Sequence, residues 1–260
     1  MPNPVTDLSG VTVVVTRPSH QAEALCQSIE ALGASALRFP VIEISPSTNT
    51  KKLKAQLEHL PNFQLAIFIS ANAVFATMQV LESQQAWPTG LAIAAVGQAT
   101  AKAIAANGQI VSLVSPEPYN SEALLGLPDL QSMHGQRVII FRGNGGRELL
   151  ADTLRERGAQ VEYAESYQRV MPDTDTSDLF QLWDEGGSMP IVVTSNEGLK
   201  NLHSMIGLTH QQSLLTSPLI VVSQRAVALA KELGFTKKPV VAKNASNEGI
   251  LTAIKQWKKA

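Results

Sequence analysis

Short runs of apolar, largely β-branched residues recur along the chain, and between them apolar residues fall at helical spacing. The runs cover 11–16, 65–70, 91–96, 110–114, 138–141, 191–195, 219–223 and 240–242. Each is nearly continuous rather than alternating, which is how a strand reads when helices cover both faces of a parallel sheet. The intervening segments predict helices over 21–32, 72–84, 98–107, 148–157, 197–205, 224–233 and 247–257. Gly33, Gly108, Gly158 and Gly234 stand just past four of these, where helices commonly end. The pattern predicts an α/β fold with doubly wound parallel sheets.

The pattern also occurs twice. Gly10-Val-Thr-Val-Val-Val-Thr-Arg17 returns about 125 residues later as Gly135-Gln-Arg-Val-Ile-Ile-Phe-Arg142. Glu23 then falls against Glu148, Gly33-Ala34 against Gly158-Ala159 and Ser70 against Ser195. One residue of drift aligns Val96 with Val222, Gly108 with Gly234, and Ser121-Glu122 with Asn247-Glu248. A repeat of this length is the size of a domain, not of a solenoid unit. Two similar lobes make a cleft, and ligand pockets favour domain interfaces. Two extended stretches, 36–46 and 160–172, break the rhythm at the same place in each repeat and end at proline. They read as long strands that pair as a linker, and tandem or exchanged halves both fit.

Composition places the chain among ordinary globular proteins, with 44% hydrophobic and 17% charged residues. Lys plus Arg number 21 against 22 Asp plus Glu, so no basic face is implied and nucleic acid is not an expected partner. The lone Cys26 sits in the apolar set of the first helix and has no disulfide partner, which suits a cytoplasmic setting. The first ten residues lack a positive region followed by an apolar one, and no apolar run reaches the roughly 20 residues of a membrane span. Neither secretion nor membrane insertion is expected. The five histidines show no metal-binding spacing, so no metal is expected either.

In such sheets ligands meet the loops at the carboxyl ends of the strands. Those loops hold Arg17, Ser70, Gly97, Thr100, Arg142, Gly143, Ser195, Asn196, Ser223, Arg225 and 244–247, and most lead into a helix N-terminus. Each hydroxyl or amide there reads individually as a helix cap. Together they suggest an anionic ligand held by main-chain donors. Arg17 and Arg142 end equivalent strands, where a guanidinium can grip a carboxylate or tie down its own loop. The 143–146 run lacks the spacing of a dinucleotide site, and neither Ser70 nor Ser195 lies in a nucleophile elbow. Tyr167 lies on the second linker stretch, as a core-edge residue or as a phenolic proton donor in the cleft.

The order of these elements resembles the uroporphyrinogen-III synthase family across essentially the whole chain. The residues that carry the resemblance are Arg17-Pro18, Gly33-Ala34, Ile42 to Pro46, Phe68 to Val74, Val96 to Thr100, Arg142-Gly143 with Arg147, Tyr167 and Ser246 to Glu248. It implies two flavodoxin-like domains joined by a two-stranded linker. Residues 1–36 with 171–260 would form one and 37–170 the other, the linker strands lying near 36–46 and 160–171. It implies a cofactor-free lyase that cyclises hydroxymethylbilane with loss of water and inversion of the last pyrrole ring. Tyr167 matches the tyrosine proposed to assist departure of the hydroxyl, Thr100 a cleft threonine, and Ser70 and Ser195 the paired strand-end serines. With Arg17, Arg142, Gly143, Asn196 and Arg225 these form the expected site of a polycarboxylate tetrapyrrole. Where some relatives carry Gly-x-Thr-Thr, this chain has Ser223-Gln-Arg225-Ala226, so Arg225 is expected to bind a carboxylate in place of a hydroxyl. A monomer supplied by hydroxymethylbilane synthase is expected. The rival reading is a non-catalytic, two-lobed module that binds small anions.

Overall fold

The computed structural model of the chain describes residues 8–81, 87–187 and 189–259. The N-terminal residues 1–7 and the 82–84 end of the helix predicted over 72–84 lie outside the described residues. In chain order the strands are β1 (Thr12–Val15), β2 (Ser35–Arg38), β3 (Glu43–Pro46), β4 (Leu65–Phe68), β5 (Ala92–Ala95), β6 (Leu113–Val114), β7 (Arg137–Gly143), β8 (Gln160–Val170), β9 (Ile191–Val193), β10 (Leu219–Val221) and β11 (Val240–Val241). The helices are α1 (Ser19–Glu30), α2 (Thr50–Glu58), α3 (Ala71–Val80), α4 (Gln98–Ala106), α5 (Ser121–Leu125), α6 (Leu149–Glu156), α7 (Ser177–Asp184), α8 (Asn196–Met205), α9 (Gln211–Thr216), α10 (Gln224–Glu232) and α11 (Asn247–Lys258).

The chain divides into two units, Met1–Glu43 with Val170–Ala260, and Ile44–Arg169. The first holds a five-stranded sheet in the order β11-β10-β9-β1-β2. The second holds six strands in the order β3-β8-β7-β4-β5-β6. Strand pairs from β1 to β2, β1 to β9, β9 to β10, β10 to β11, β4 to β5, β4 to β7, β5 to β6 and β7 to β8 are parallel. Strand β7 in the second sheet occupies the place that β1 takes in the first, and β4 the place of β9. Each sheet thus combines the opening strands of one sequence repeat with the closing strands of the other.

The central strands β4, β9 and β10 are wholly apolar because both faces are covered. In the second unit Ala66, Phe68, Ile139 and Phe141 point to one core and Leu65, Ile67, Val138 and Ile140 to the other. Phe68 and Phe141 stack with ring centroids 4.6 Å apart. In the first unit Val13, Val15, Val192 and Ile220 pack against Leu25, Ile29, Ile250 and Ile254 of α1 and α11. Cys26 is buried in that core.

Two expectations change. The extended stretch over 36–46 is not one strand: β2 joins the first sheet and β3 the second, with Phe39, Pro40, Val41 and Ile42 between them. Pro40 has no N–H to give to a ladder, its carbonyl accepts from Thr174 Oγ1 at 2.7 Å, and Phe39 and Val41 are buried as anchors. The strand predicted over 110–114 contracts to Leu113–Val114, and Ile110 is exposed. Helix α2 escaped prediction because it buries only Leu53 and Leu57, a single i, i+4 pair.

Candidate functional site

In the second unit the chain reverses its winding direction between β4 and β7, and open α/β sheets bind ligands at the carboxyl side of such a point. Ser70 follows β4. Its extended backbone (φ −158°, ψ 158°) makes it the N-cap of α3, and its Oγ accepts from Ala73 N at 3.1 Å. The same Oγ lies 3.1 Å from the hydroxyl of Tyr167, which also accepts from Arg169 Nη2 at 3.2 Å. Tyr167 is 1% exposed, whereas Ser70 and Arg169 are half-buried.

A register shift in β8 sets this geometry. Arg142 opposes Glu165, but the next residue, Gly143, opposes Tyr167, leaving Ser166 as an extra residue. Simple alternation would put Tyr167 on the face of Tyr163; the bulge turns it to the opposite face, in the core under α3. Ser166 is buried and its hydroxyl reaches the carbonyls of Ala73 and Arg142, each at 3.4 Å. Beyond the bulge Asn144 locks the ends of β7 and β8 together. Its N donates to Tyr167 O at 3.1 Å, and its side chain accepts from Arg169 N at 2.7 Å.

The other face of the sheet carries a cavity of about 410 Å³ lined by Asn120, Glu122, Arg142, Arg147, Tyr163 and Arg169 among others. The Arg142 guanidinium is buried, donating from Nε to Gly145 O at 3.0 Å and from Nη1 to Glu148 Oε1 at 3.1 Å. It lies over the Tyr163 ring at 4.4 Å, a cation–π contact. Tyr163 donates to Glu148 Oε2 at 2.7 Å. That bond, then Arg142, holds the Glu148 carboxyl below the usual carboxylate range. Burial, then the same carboxylate, pushes the Tyr163 phenol up to about 12. Arg147 pairs with Glu122 at 2.7 Å at the rim.

Sequence-predicted residues therefore divide. Tyr167, Ser70 and Gly143 meet, with Arg142 on the adjoining face. Thr100 lies in the first turn of α4, 4% exposed. Arg17, Ser195, Asn196 and Arg225 belong to the first unit. There Arg17 donates from Nη1 to Asn247 Oδ1 at 2.7 Å and from Nη2 to the Ala245 carbonyl. Ser195 caps α8 through Gly198 N at 2.9 Å, and Ser223 caps α10 through Ala226 N at 3.2 Å. Asn196 and Arg225 are exposed at the starts of those helices. Sequence reasoning missed Arg169, Tyr163 and Glu148 as parts of the site, whereas Asn144 lies in the 142–147 loop that the strand-end argument picks out. Among those missed only Glu148 carried a signal, through its repeat partner Glu23. No group of three His, Cys, Asp or Glu that could hold a metal occurs among the described residues.

The family model described as uroporphyrinogen-III synthase HemD matches residues 23–252. The chain belongs to the uroporphyrinogen-III synthase family. It is 39% identical to the uroporphyrinogen-III synthase of Escherichia coli over 94% of this chain and 100% of that protein. Identity to the Synechococcus elongatus uroporphyrinogen-III synthase is 29%, over 96% of each chain. The fold matches a mutant uroporphyrinogen III synthase of the extremely thermophilic bacterium Thermus thermophilus with a TM-score of 0.65 at 20% identity, covering 96% of this chain and 100% of that one. The Helicobacter pylori uroporphyrinogen-III synthetase matches equally well, with a TM-score of 0.65 at 17% identity over 95% and 99%. Family membership makes the chain a cyclising lyase of tetrapyrrole biosynthesis. No helix among the described residues is long and apolar enough to cross a membrane.

Proposed function

We propose that this enzyme of the uroporphyrinogen-III synthase family uses Tyr167 to help the terminal hydroxyl of hydroxymethylbilane leave as water. The lone pair of the adjoining pyrrole nitrogen expels the hydroxyl and leaves an azafulvene cation. Attack on that cation through the substituted position of the last ring, then rearrangement, inverts the ring and closes the macrocycle as uroporphyrinogen III. Little side-chain chemistry is needed beyond one proton donor, because the substrate supplies its own electron push; folding the bilane and excluding water supply the rest.

The observation that carries this reading is the Tyr167 hydroxyl held between Ser70 and Arg169 beside the strand-order reversal. The substrate's acetates and propionates suit the polar loops at the strand ends. In this reading Arg142, Arg147 and the amides of 143–146 face carboxylates in the second unit. Thr100 lines the same edge. Ser195, Asn196 and Arg225 offer corresponding donors in the first, and Arg17 braces the loop before α11. The enzyme is further proposed to act as a cytoplasmic monomer that takes its unstable substrate from hydroxymethylbilane synthase.

The test is turnover of freshly made hydroxymethylbilane, with the isomers separated chromatographically. Wild type is expected to give the inverted isomer, and Tyr167→Phe to lower kcat more than it changes KM. If wild type leaves only the symmetric, spontaneously closed isomer, catalysis is refuted and an anion-binding module remains. Unchanged kcat in Tyr167→Phe refutes the role of Tyr167.

A further inference from the structure

The hydrogen bonds around Tyr167 assign a direction to its proton. Arg169 donates to the phenolic oxygen, since a guanidinium has no acceptor. The only other polar partner of that oxygen among the described residues is Ser70 Oγ. If Ser70 donated to Tyr167, the phenolic O–H would be buried with no acceptor, because Tyr167 is 1% exposed. If Tyr167 donates to Ser70, every group is satisfied: Ser70 Oγ accepts from Tyr167 and from Ala73 N, and its own O–H is left to point outward. Ser70 is half-buried and stands at the carboxyl end of β4, where Tyr167 itself has almost no exposed surface.

We infer that Ser70 is the residue that touches the leaving hydroxyl and that Tyr167 acts through it as a two-proton relay, a proposal that rests on the reading of Tyr167 given above. As the substrate C–O bond breaks, its electron pair stays on the oxygen, which takes the Ser70 proton and departs as water. Ser70 takes the phenolic proton in the same step, so serine ends neutral and Tyr167 becomes a phenolate beside the azafulvene cation. Arg169, a positioning residue, holds the phenolate through its Nη2. When the closing ring loses its proton at the end of the reaction, that proton returns through Ser70 to Tyr167, and the enzyme is regenerated.

The relay is tested by measuring kcat, KM and Tm for Ser70→Ala, Ser70→Thr, Tyr167→Phe and the Ser70→Ala/Tyr167→Phe pair. Expected are losses in kcat of about a hundredfold for each single alanine or phenylalanine variant, with the double variant no slower than either. Ser70→Thr keeps both the cap and the hydroxyl and is expected to recover most of the rate. Arg169→Met is expected to lower kcat without raising KM, and Arg169→Lys to recover it. Near-wild-type kcat in folded Ser70→Ala, with Tyr167→Phe still slow, overturns the relay but leaves Tyr167 as the donor. Multiplicative losses in the double variant overturn it as well. Near-wild-type kcat in Tyr167→Phe overturns both the relay and the reading beneath it.

Discussion

Gly143 and Tyr167 sit so close that a Cβ on residue 143 would lie 2.8 Å from both Cε2 and Cζ of the tyrosine ring and 3.2 Å from its hydroxyl. Gly143 is not in the left-handed region, so the need for glycine here is space and not backbone freedom. The residue opposite the bulge must be small for the ring to lie across it. Gly143→Ala is expected to cost about 1–3 kcal/mol, the usual range for overpacking, and to lower kcat by pushing the hydroxyl off Ser70. Thermal melts in a Tyr167→Ala background check the cause. With the ring gone the alanine at 143 should cost much less, and an undiminished cost would place the strain elsewhere.

Glu148 links Arg142 and Tyr163 beside the cavity, and its carboxyl lies below the usual range because both partners favour the charged form. A depressed folded value means the stabilisation is complete above the unfolded value of about 4.3 and is lost as pH falls through the folded value. Glu148→Gln is therefore expected to lower Tm at pH 7, leaving the buried Arg142 guanidinium without its counter-charge. The gap between variant and wild type should begin to narrow once the pH falls below the unfolded value and close as it passes the lower folded value. A gap that persists unchanged in acid would mean that shape, not charge, is what Glu148 contributes.

These two relationships mark how far the sequence could be read. The strand runs, the helices after them and the duplication are legible because burial on both faces demands continuous apolar stretches, and the same demand was written twice. The short helices α2, α7 and α9 bury only one or two residues each and leave no periodic trace. At the site, Ser70 and Gly143 could be found from strand ends alone. The orientation of Tyr167 could not, because one extra residue, Ser166, reverses the face of everything after it and nothing in the alternation of β8 announces a bulge. Arg169 was invisible for the same reason. Its approach to the phenol depends on the two residues lying beyond that bulge, tied down by Asn144.

Helix α3, which Ser70 caps, carries a defect. Thr77 is fully buried, and its Oγ1 has no hydrogen-bond partner among the described residues. A buried hydroxyl left unpaired costs about 1–3 kcal/mol, and valine replaces it with a methyl of similar volume on a side chain that is likewise β-branched. Thr77→Val is expected to raise stability by about 1 kcal/mol with kcat unchanged, as read by chemical denaturation. Destabilisation would show that the hydroxyl is satisfied in solution, by a water molecule for instance.

Arg17 occupies in the first unit the strand-end position that Arg142 occupies in the second, yet it spends its guanidinium differently. Where Arg142 pairs with the acid at the N-cap of the following helix, Arg17 reaches across the carboxyl edge of its sheet to the Asn247 side chain and the Ala245 carbonyl. It thereby fixes the loop from Asn244 to Ser246, in which Asn244 Oδ1 accepts from Ser246 N and Ser246 Oγ caps α11 through Gly249 N at 3.1 Å. Removing the guanidinium frees that loop and leaves the 245 carbonyl to water, so Arg17→Ala is expected to cost about 1–2 kcal/mol. Asn247→Ala should cost less, because the bond to Ala245 survives, and the pair should fall short of additivity since they share a bond. If the loop's amides hold a substrate carboxylate, loosening them weakens ground state and transition state alike. The expected kinetic signature of Arg17→Ala is then a raised KM with kcat nearly unchanged. A fall in kcat at constant KM would instead place Arg17 in the chemical step, a role that its two bonds to the loop give no reason to expect.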